Sequence, residues 1–159
     1  MKITFSTSVP VEQTLAFEAV YEDALAMSLE YKRDLERQGW IALWMFVGGK
    51  LAGEMYGLPL WKLEEPIVDC DKGANEAVYC YSSTVLPEFQ GQGLSKILKA
   101  AWLGMCWWSG APHVVGHATS PAAKRLNEFF GAVFTTMHER WYGTERTAEF
   151  YRIDRGAST

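Results

Sequence analysis

Residues 2–6 (KITFS) alternate polar and apolar side chains, the period of a short strand. Ser8 and Pro10 then offer a helix start, Ser8 as N-cap and Pro10 in the first turn, where a missing amide is tolerated. From Val11 to Arg37 apolar positions including Leu15, Ala19, Leu25 and Leu29 recur at helical spacing with charges between them, and Gly39 closes the run. This predicts one long helix or two, without locating a break. The run WIALWMFV (40–47), the turn Gly48-Gly49-Lys50 and the run LAGEMYG (51–57) predict a β-hairpin, because paired glycines supply the positive φ angles of tight turns.

Residues 58–75 hold two prolines, a glycine and several acids, and read as an ordered loop. Residues 76–86 (EAVYCYSSTVL) are β-prone and enter the punctuated turn PEFQGQGLS. A helix over about 94–108 follows, stopped by Gly110 and Pro112, then a strand at 113–118. A helix from Pro121 to Phe130 ends at Gly131, and two strands near 132–142 and 147–153 finish the chain. Strands interleaved with helices in this order predict an α/β chain with a mixed sheet. No repeat or low-complexity segment appears.

The chain has 159 residues, 48% hydrophobic and 21% charged, which fits one folded domain over 1–159. Aromatic content is 14%, enough to line a cleft as well as fill a core. The net charge of −4 without a basic run argues against a general grip on nucleic acid or an anionic membrane. That charge is uneven: residues 1–77 carry thirteen acidic and seven basic side chains, residues 78–159 six and eight. The first half therefore suits a cationic ligand and the second a polyanion. Cys70, Cys80 and Cys106 are an odd number without a CxxC pair, against a disulfide framework or a cysteine zinc site. With no apolar signal-peptide core and no run of ~18 apolar residues, the expectation is a cytoplasmic protein.

Chemistry concentrates in SSTVLPEFQGQGLSKILKAAW (82–102), a strand passing through a glycine-bearing turn into a helix. Unpaired amides and the macrodipole at such a helix start favour phosphate. A P-loop would need a glycine directly before the lysine, and a dinucleotide fingerprint would need a third glycine where Lys96 stands, so both fail. What remains is Gln90-x-x-Gly93-x-Ser95 preceded by Val85-x-Pro87.

That segment resembles the pyrophosphate loop of the GCN5-related N-acetyltransferases, [Gln/Arg]-x-x-Gly-x-[Gly/Ala] after a strand ending in V-x-P. The order of elements resembles that family over nearly the whole chain. The resemblance implies a mixed, mostly antiparallel twisted sheet flanked by helices, acetyl-CoA as co-substrate and no metal. It places the amides of Gln90, Gly91, Gln92, Gly93, Leu94 and Ser95 around the CoA pyrophosphate. Ser83, Thr84 and Val85 would border the pantetheine arm, with the Val85 amide aimed at the thioester carbonyl. Lys96 and Lys99 would add charge near the phosphates or form a solvated helix face.

Two departures stand out. Ser95 replaces the usual Gly or Ala, a small change whose hydroxyl can itself bond phosphate. In the later helix the family pattern N-x-x-A-x-x-L-Y is matched by Ser120, Ala123, Leu126 and Asn127, so Asn127 stands where a tyrosine commonly protonates the departing thiolate.

Transfer to an amine by direct attack in a ternary complex needs both reactants held together, an oxyanion donor and a proton acceptor. Candidate bases are Glu54, Glu76 and His117; candidate acids are Ser120 and Tyr142. His113 and His117 are four apart, but on a strand that spacing is not a helical metal pair, and His138 has no distinguishing context. Trp61, Glu64, Glu65 and Asp69 in the 58–75 loop offer cation–π and carboxylate contacts to a cationic amine. The alternative to an enzyme is a CoA-binding or protein-interaction module of the same fold. Trp107 and Trp108 would suit a homodimer interface or the core.

Overall fold

The computed structural model describes residues 1–22, 24–71 and 76–156. Positions 72–75, the end of the predicted 58–75 loop, lie outside the described residues, as does Asp23 in the predicted helical region. Among the described residues seven strands form one sheet: β1 (Ile3–Ser6), β2 (Ile41–Val47), β3 (Lys50–Pro59), β4 (Val78–Val85), β5 (His113–Ala118), β6 (Val133–His138) and β7 (Ala148–Asp154). Their spatial order is β1-β2-β3-β4-β5-β7-β6. Only β4 and β5 run parallel; every other neighbouring pair is antiparallel. This is a mixed, mostly antiparallel α/β sheet.

The strand period of two sorts the core. Leu43, Met45, Met55, Val78, Cys80 and Val114 face α3 (Leu94–Trp108) through its Leu98 and Trp102. The alternate residues Ala42, Trp44, Tyr56, Tyr79 and Val115 face the other way, onto Phe17 of α1 (Leu15–Glu18) and Leu35 of α2 (Leu29–Arg37). Helix α4 (Pro121–Phe129) shares the α3 face, where Ala123 packs near Tyr151 of β7.

Several boundaries differ from the sequence expectation. Ser8 does not cap a helix: its amide bonds the Ser6 hydroxyl, and a 3-10 turn begins at Val11. The helical stretch breaks after Glu18, because the Glu18 carboxylate accepts the Met27 amide at 2.6 Å and closes the connection into α2, which Ser28 caps. Strand β3 runs on to Pro59, absorbing the start of the predicted loop. Gly48 and Gly49, at φ +57° and +82°, make the expected hairpin turn.

Glu54 is a correction in kind. A candidate base, with an exposed strand residue as the alternative, it is not exposed: it is fully buried, 3.1 Å from Lys32 Nζ. The Trp44 indole donates to its other oxygen at 3.1 Å, and Lys32, also fully buried, reaches Glu18 at 3.1 Å. Burial pushes the Glu54 carboxyl up to about 7, with Lys32 and the Trp44 bond pulling the other way. This ion pair pins α1 and α2 to β3. A buried pair left with one partner is strongly destabilised, by roughly 3–5 kcal/mol. Lys32→Met should therefore lower stability by about that amount at pH 7.5 in a denaturant titration. The loss should shrink near pH 5, because a carboxyl with a raised folded pKa is protonated more readily in the folded state and stops presenting a buried charge.

Candidate acetyl-CoA site at the fork of the sheet

Strands β4 and β5 pair only at Val78–Val114, Tyr79–Val115 and Cys80–Gly116. Beyond Cys80 and Gly116 both strands continue without pairing each other, so the sheet forks. Tyr81 helps open it as the extra residue of a bulge, since Tyr56 pairs with Ser82 but Gly57 with Cys80.

The edge of β4 that faces the fork can be read from its ladder. The Leu86 amide donates to Ala52 O at 2.9 Å, which makes Gly53–Val85 a non-hydrogen-bonded pair. In such a pair both backbones turn their polar groups away from one another, so the Val85 amide points into the fork. By the period of two the Ser83 amide does the same, whereas that of Thr84 is turned toward β3. The Gln90 side chain donates to Val85 O at 2.9 Å and ties the turn to the strand end.

At the mouth of the fork the chain turns through residues 90–93 into α3. Gly91 and Gly93 sit at φ +77° and +75°, a left-handed conformation that disfavours a side chain even though a Cβ there would meet no atom within 4 Å. No side chain caps α3, so the amides of its first turn are left for a ligand. Gln90, Gly91, Gln92 and Gly93 are exposed and Ser95 half-buried, while Leu94 is sunk into the core and offers only its amide. The turn can hold an anion by dipole and amide contacts. Lys96 lies over the Phe129 ring at 4.0 Å on the surface. Lys99 is not on a solvated face: it is fully buried, 5.3 Å from the Tyr151 ring centroid, its Nζ without a hydrogen-bond partner and its pKa lowered by burial.

On the α1/α2 face a hydrogen-bonded chain straddles the apex of the fork. Tyr79 stands one residue before the last paired position and His117 one residue beyond it, and the Tyr79 hydroxyl meets His117 Nδ1 at 2.8 Å. His117 Nε2 lies 2.9 Å from Asp69 Oδ2, and the Trp141 ring stacks on the imidazole at 4.5 Å. Burial pushes His117 down, against the pull of Asp69. Burial alone would raise Asp69, but the bonds from His117 and His138 outweigh it and hold the carboxyl below its usual range. Nearby, Tyr21 OH bonds the Ser82 and Thr84 hydroxyls, so Thr84 faces the helices with its side chain.

The other sequence candidates are scattered. Glu76 is exposed, just before the start of β4 and thus at the opposite end of that strand from the turn. Ser120 caps α4, its oxygen accepting the Ala123 amide at 3.1 Å. Asn127 is buried on α4 with Nδ2 bonded to Ala123 O at 2.8 Å and Oδ1 unpartnered. Tyr142 is 68% exposed and packs edge-on against Trp141. His113 lies at the far end of β5 from the fork mouth. Trp61 stands exposed, as do Glu64 and Glu65. Sequence reasoning missed Tyr79, for which the β-prone run gave no separate signal.

A forked α/β sheet with a glycine-bearing turn and an uncapped helix N-terminus at its mouth defines the class of fold. No family model matches the chain, and no curated protein matches it in sequence. Solved structures do. The ribosomal-protein-S18-alanine N-acetyltransferase of Escherichia coli superposes with a TM-score of 0.75 over 99% of this chain and 96% of its own, at 16% identity. Ard1 of Thermoplasma volcanium gives 0.73 over 96% and 97%, at 18% identity. The yncA protein of Salmonella typhimurium, solved with its cofactor acetyl-CoA, gives 0.71 over 96% and 93%, at 17% identity. The chain has the fold of the GCN5-related N-acetyltransferases.

If the turn binds the donor's phosphates, Gly93→Glu places both a side chain and a negative charge where the anion must sit. Calorimetry should then show acetyl-CoA binding abolished in this variant with the thermal unfolding midpoint lowered only slightly.

Proposed function

We propose that the protein is an acetyl-CoA-dependent N-acetyltransferase that acts on a primary amine of a small molecule or peptide. The observation that carries this reading is the fork: its β4 edge presents the Ser83 and Val85 amides, its mouth presents an anion-binding turn, and its other face presents a proton-accepting chain. The residues fit the donor. Amides 91–95 take the pyrophosphate, the free edge of β4 takes the pantetheine amides, and the amide of Ser83 or Val85 stabilises the oxyanion as the thioester carbonyl is attacked.

The amine approaches from the α1/α2 face. Its nitrogen forms the new bond to the acetyl carbon as the carbon–sulfur bond breaks. The amine's proton passes to the Tyr79 oxygen while the Tyr79 proton moves to His117 Nδ1, so the phenol is never left ionised, which its burial would oppose. Asp69 holds the ring through Nε2–H and stabilises the imidazolium, the logic of an acid–histidine pair. Glu54, committed to Lys32, is not the base in this reading. Asn127 is no acid, and in this reading CoA leaves as a thiolate. A thiolate is far less basic than the amide or alkoxide alternatives and can leave without prior protonation.

Asn127 also favours a second reading, a CoA-binding module without turnover. Thiol release with a panel of amines separates the two. The enzyme reading predicts saturable acetyl-CoA binding and amine-dependent release, and binding without release for any amine supports the module. For the enzyme, Tyr79→Phe and His117→Asn should each lower kcat by about 10²–10⁴-fold, the usual worth of general base catalysis, with acetyl-CoA affinity unchanged. Unchanged kcat in both would remove the proton path from the account.

A further inference from the structure

Asp69 comes from the connection between β3 and β4, His117 from β5 and His138 from the end of β6, yet one ligand atom of each lies within 4.8 Å of the other two. Both rings aim Nε2 at the same carboxylate oxygen, Asp69 Oδ2, at 2.9 and 2.6 Å. Two imidazoles and a carboxylate are a donor set for zinc and its neighbours among the divalent transition metals. Bonds of about 2 Å at the tetrahedral angle put ligand atoms roughly 3.3 Å apart, so seating an ion among the three takes an outward shift of the carboxylate and a settling of the two rings to that separation.

The surroundings fit as well. The Tyr79 oxygen, 2.8 Å from His117 Nδ1, is placed to accept the Nδ1–H of a ligating imidazole and orient it. Trp141 walls one side, stacked on His117 and 5.3 Å from the His138 ring. The His138 side chain is 28% exposed, which leaves an open flank for a water ligand. The Asp69 backbone adopts φ +66°, the turn that brings its carboxylate round to the two rings.

We propose that Asp69, His117 and His138 bind one zinc-like divalent ion, and that loading this site shuts the proton path through Tyr79. The binding stands on the three side chains themselves; its effect on turnover rests on the acetyltransferase reading. With neutral rings, metal binding needs no net proton release, because each histidine moves its proton from Nε2 to Nδ1 as Nε2 takes the metal. His117 Nδ1–H then donates to the Tyr79 oxygen and can no longer accept the Tyr79 proton. The ion is a brake on the reaction, with no part in the acetyl transfer.

The test uses the whole protein, stripped with a chelator and titrated with Zn²⁺ by calorimetry and with Co²⁺ by visible absorption. One ion per chain is expected, with the intense bands of a four-coordinate cobalt site. His138→Ala and Asp69→Asn should each weaken binding at least ~100-fold, since losing a direct ligand costs no less than losing an outer partner. Cys70→Ser, beside Asp69 in sequence, should leave binding unchanged. Zn²⁺ should slow amine-dependent CoA release by the unaltered protein, chelator should restore it, and His138→Ala should resist it. Absence of saturable binding, binding that survives both ligand substitutions, or binding lost with Cys70 overturns the proposal. Metal binding with the expected variant pattern but no acetyl transfer by the stripped protein would retain the site and remove the acetyltransferase reading; transfer that zinc neither meets nor slows would do the reverse.

Discussion

The parting of β4 from β5 after Cys80 and Gly116 is the constraint on which the rest depends. A parallel pair that stays zipped satisfies its own backbone and offers a ligand nothing. One that opens leaves amides turned outward along an edge that lies inside the molecule, where paired strands on both flanks hold it rigid. Backbone groups so placed must find partners. A chain of amides such as pantetheine is a suitable one, since it can bond to β4 as a further strand would. The two faces of the sheet then differ: α3 presents its N-terminus on one side, and the hydrogen-bonded Tyr79 and His117 stand on the other.

Keeping such an edge open requires the strands around it not to shift. Lys32 supplies part of that rigidity, because its ammonium joins Glu18 of α1 and Glu54 of β3 where water does not reach. The close approach at Gly57 does the same from the opposite face, since a Cβ there would lie 2.4 Å from Tyr79 O and 2.8 Å from Trp102. Position 57 thereby fixes how β3 meets β4 beside the bulge that starts the fork. The polar interior on one face and the tight apolar packing on the other act on the same two strands.

How much of this was legible in the sequence depends on the range of each interaction. The turn into α3 was visible because its causes are local: two glycines, a strand ending at Val85 and a helix starting at Leu94. The helices α3 and α4 and the strand β5 were legible for the same reason, each bounded by its own Gly, Pro or Ser. The break between α1 and α2 was not, since it follows from Glu18 reaching the Met27 amide and Lys32. The burial of Glu54 was not legible, because nothing within its own strand announces the lysine 22 residues earlier that pairs with it. His117 was a candidate without a context, for its partners Asp69 and Tyr79 lie 48 and 38 residues away along the chain. His138 reaches the same carboxylate across 69 residues, a pairing that sheet topology alone creates.

If the open edge of β4 and the turn before α3 together hold the donor, their backbone amides must sense it. Amide NMR of ¹⁵N-labelled protein titrated with acetyl-CoA tests this most directly, because it reads these backbone groups without requiring a known acceptor. The largest shifts are expected at the amides of Ser83, Val85 and residues 91–95, saturating together. Shifts confined to another surface, such as the groove around Trp40 and Trp108 between β2 and the C-terminal half of α3, with those seven amides unmoved, would contradict that placement of the donor.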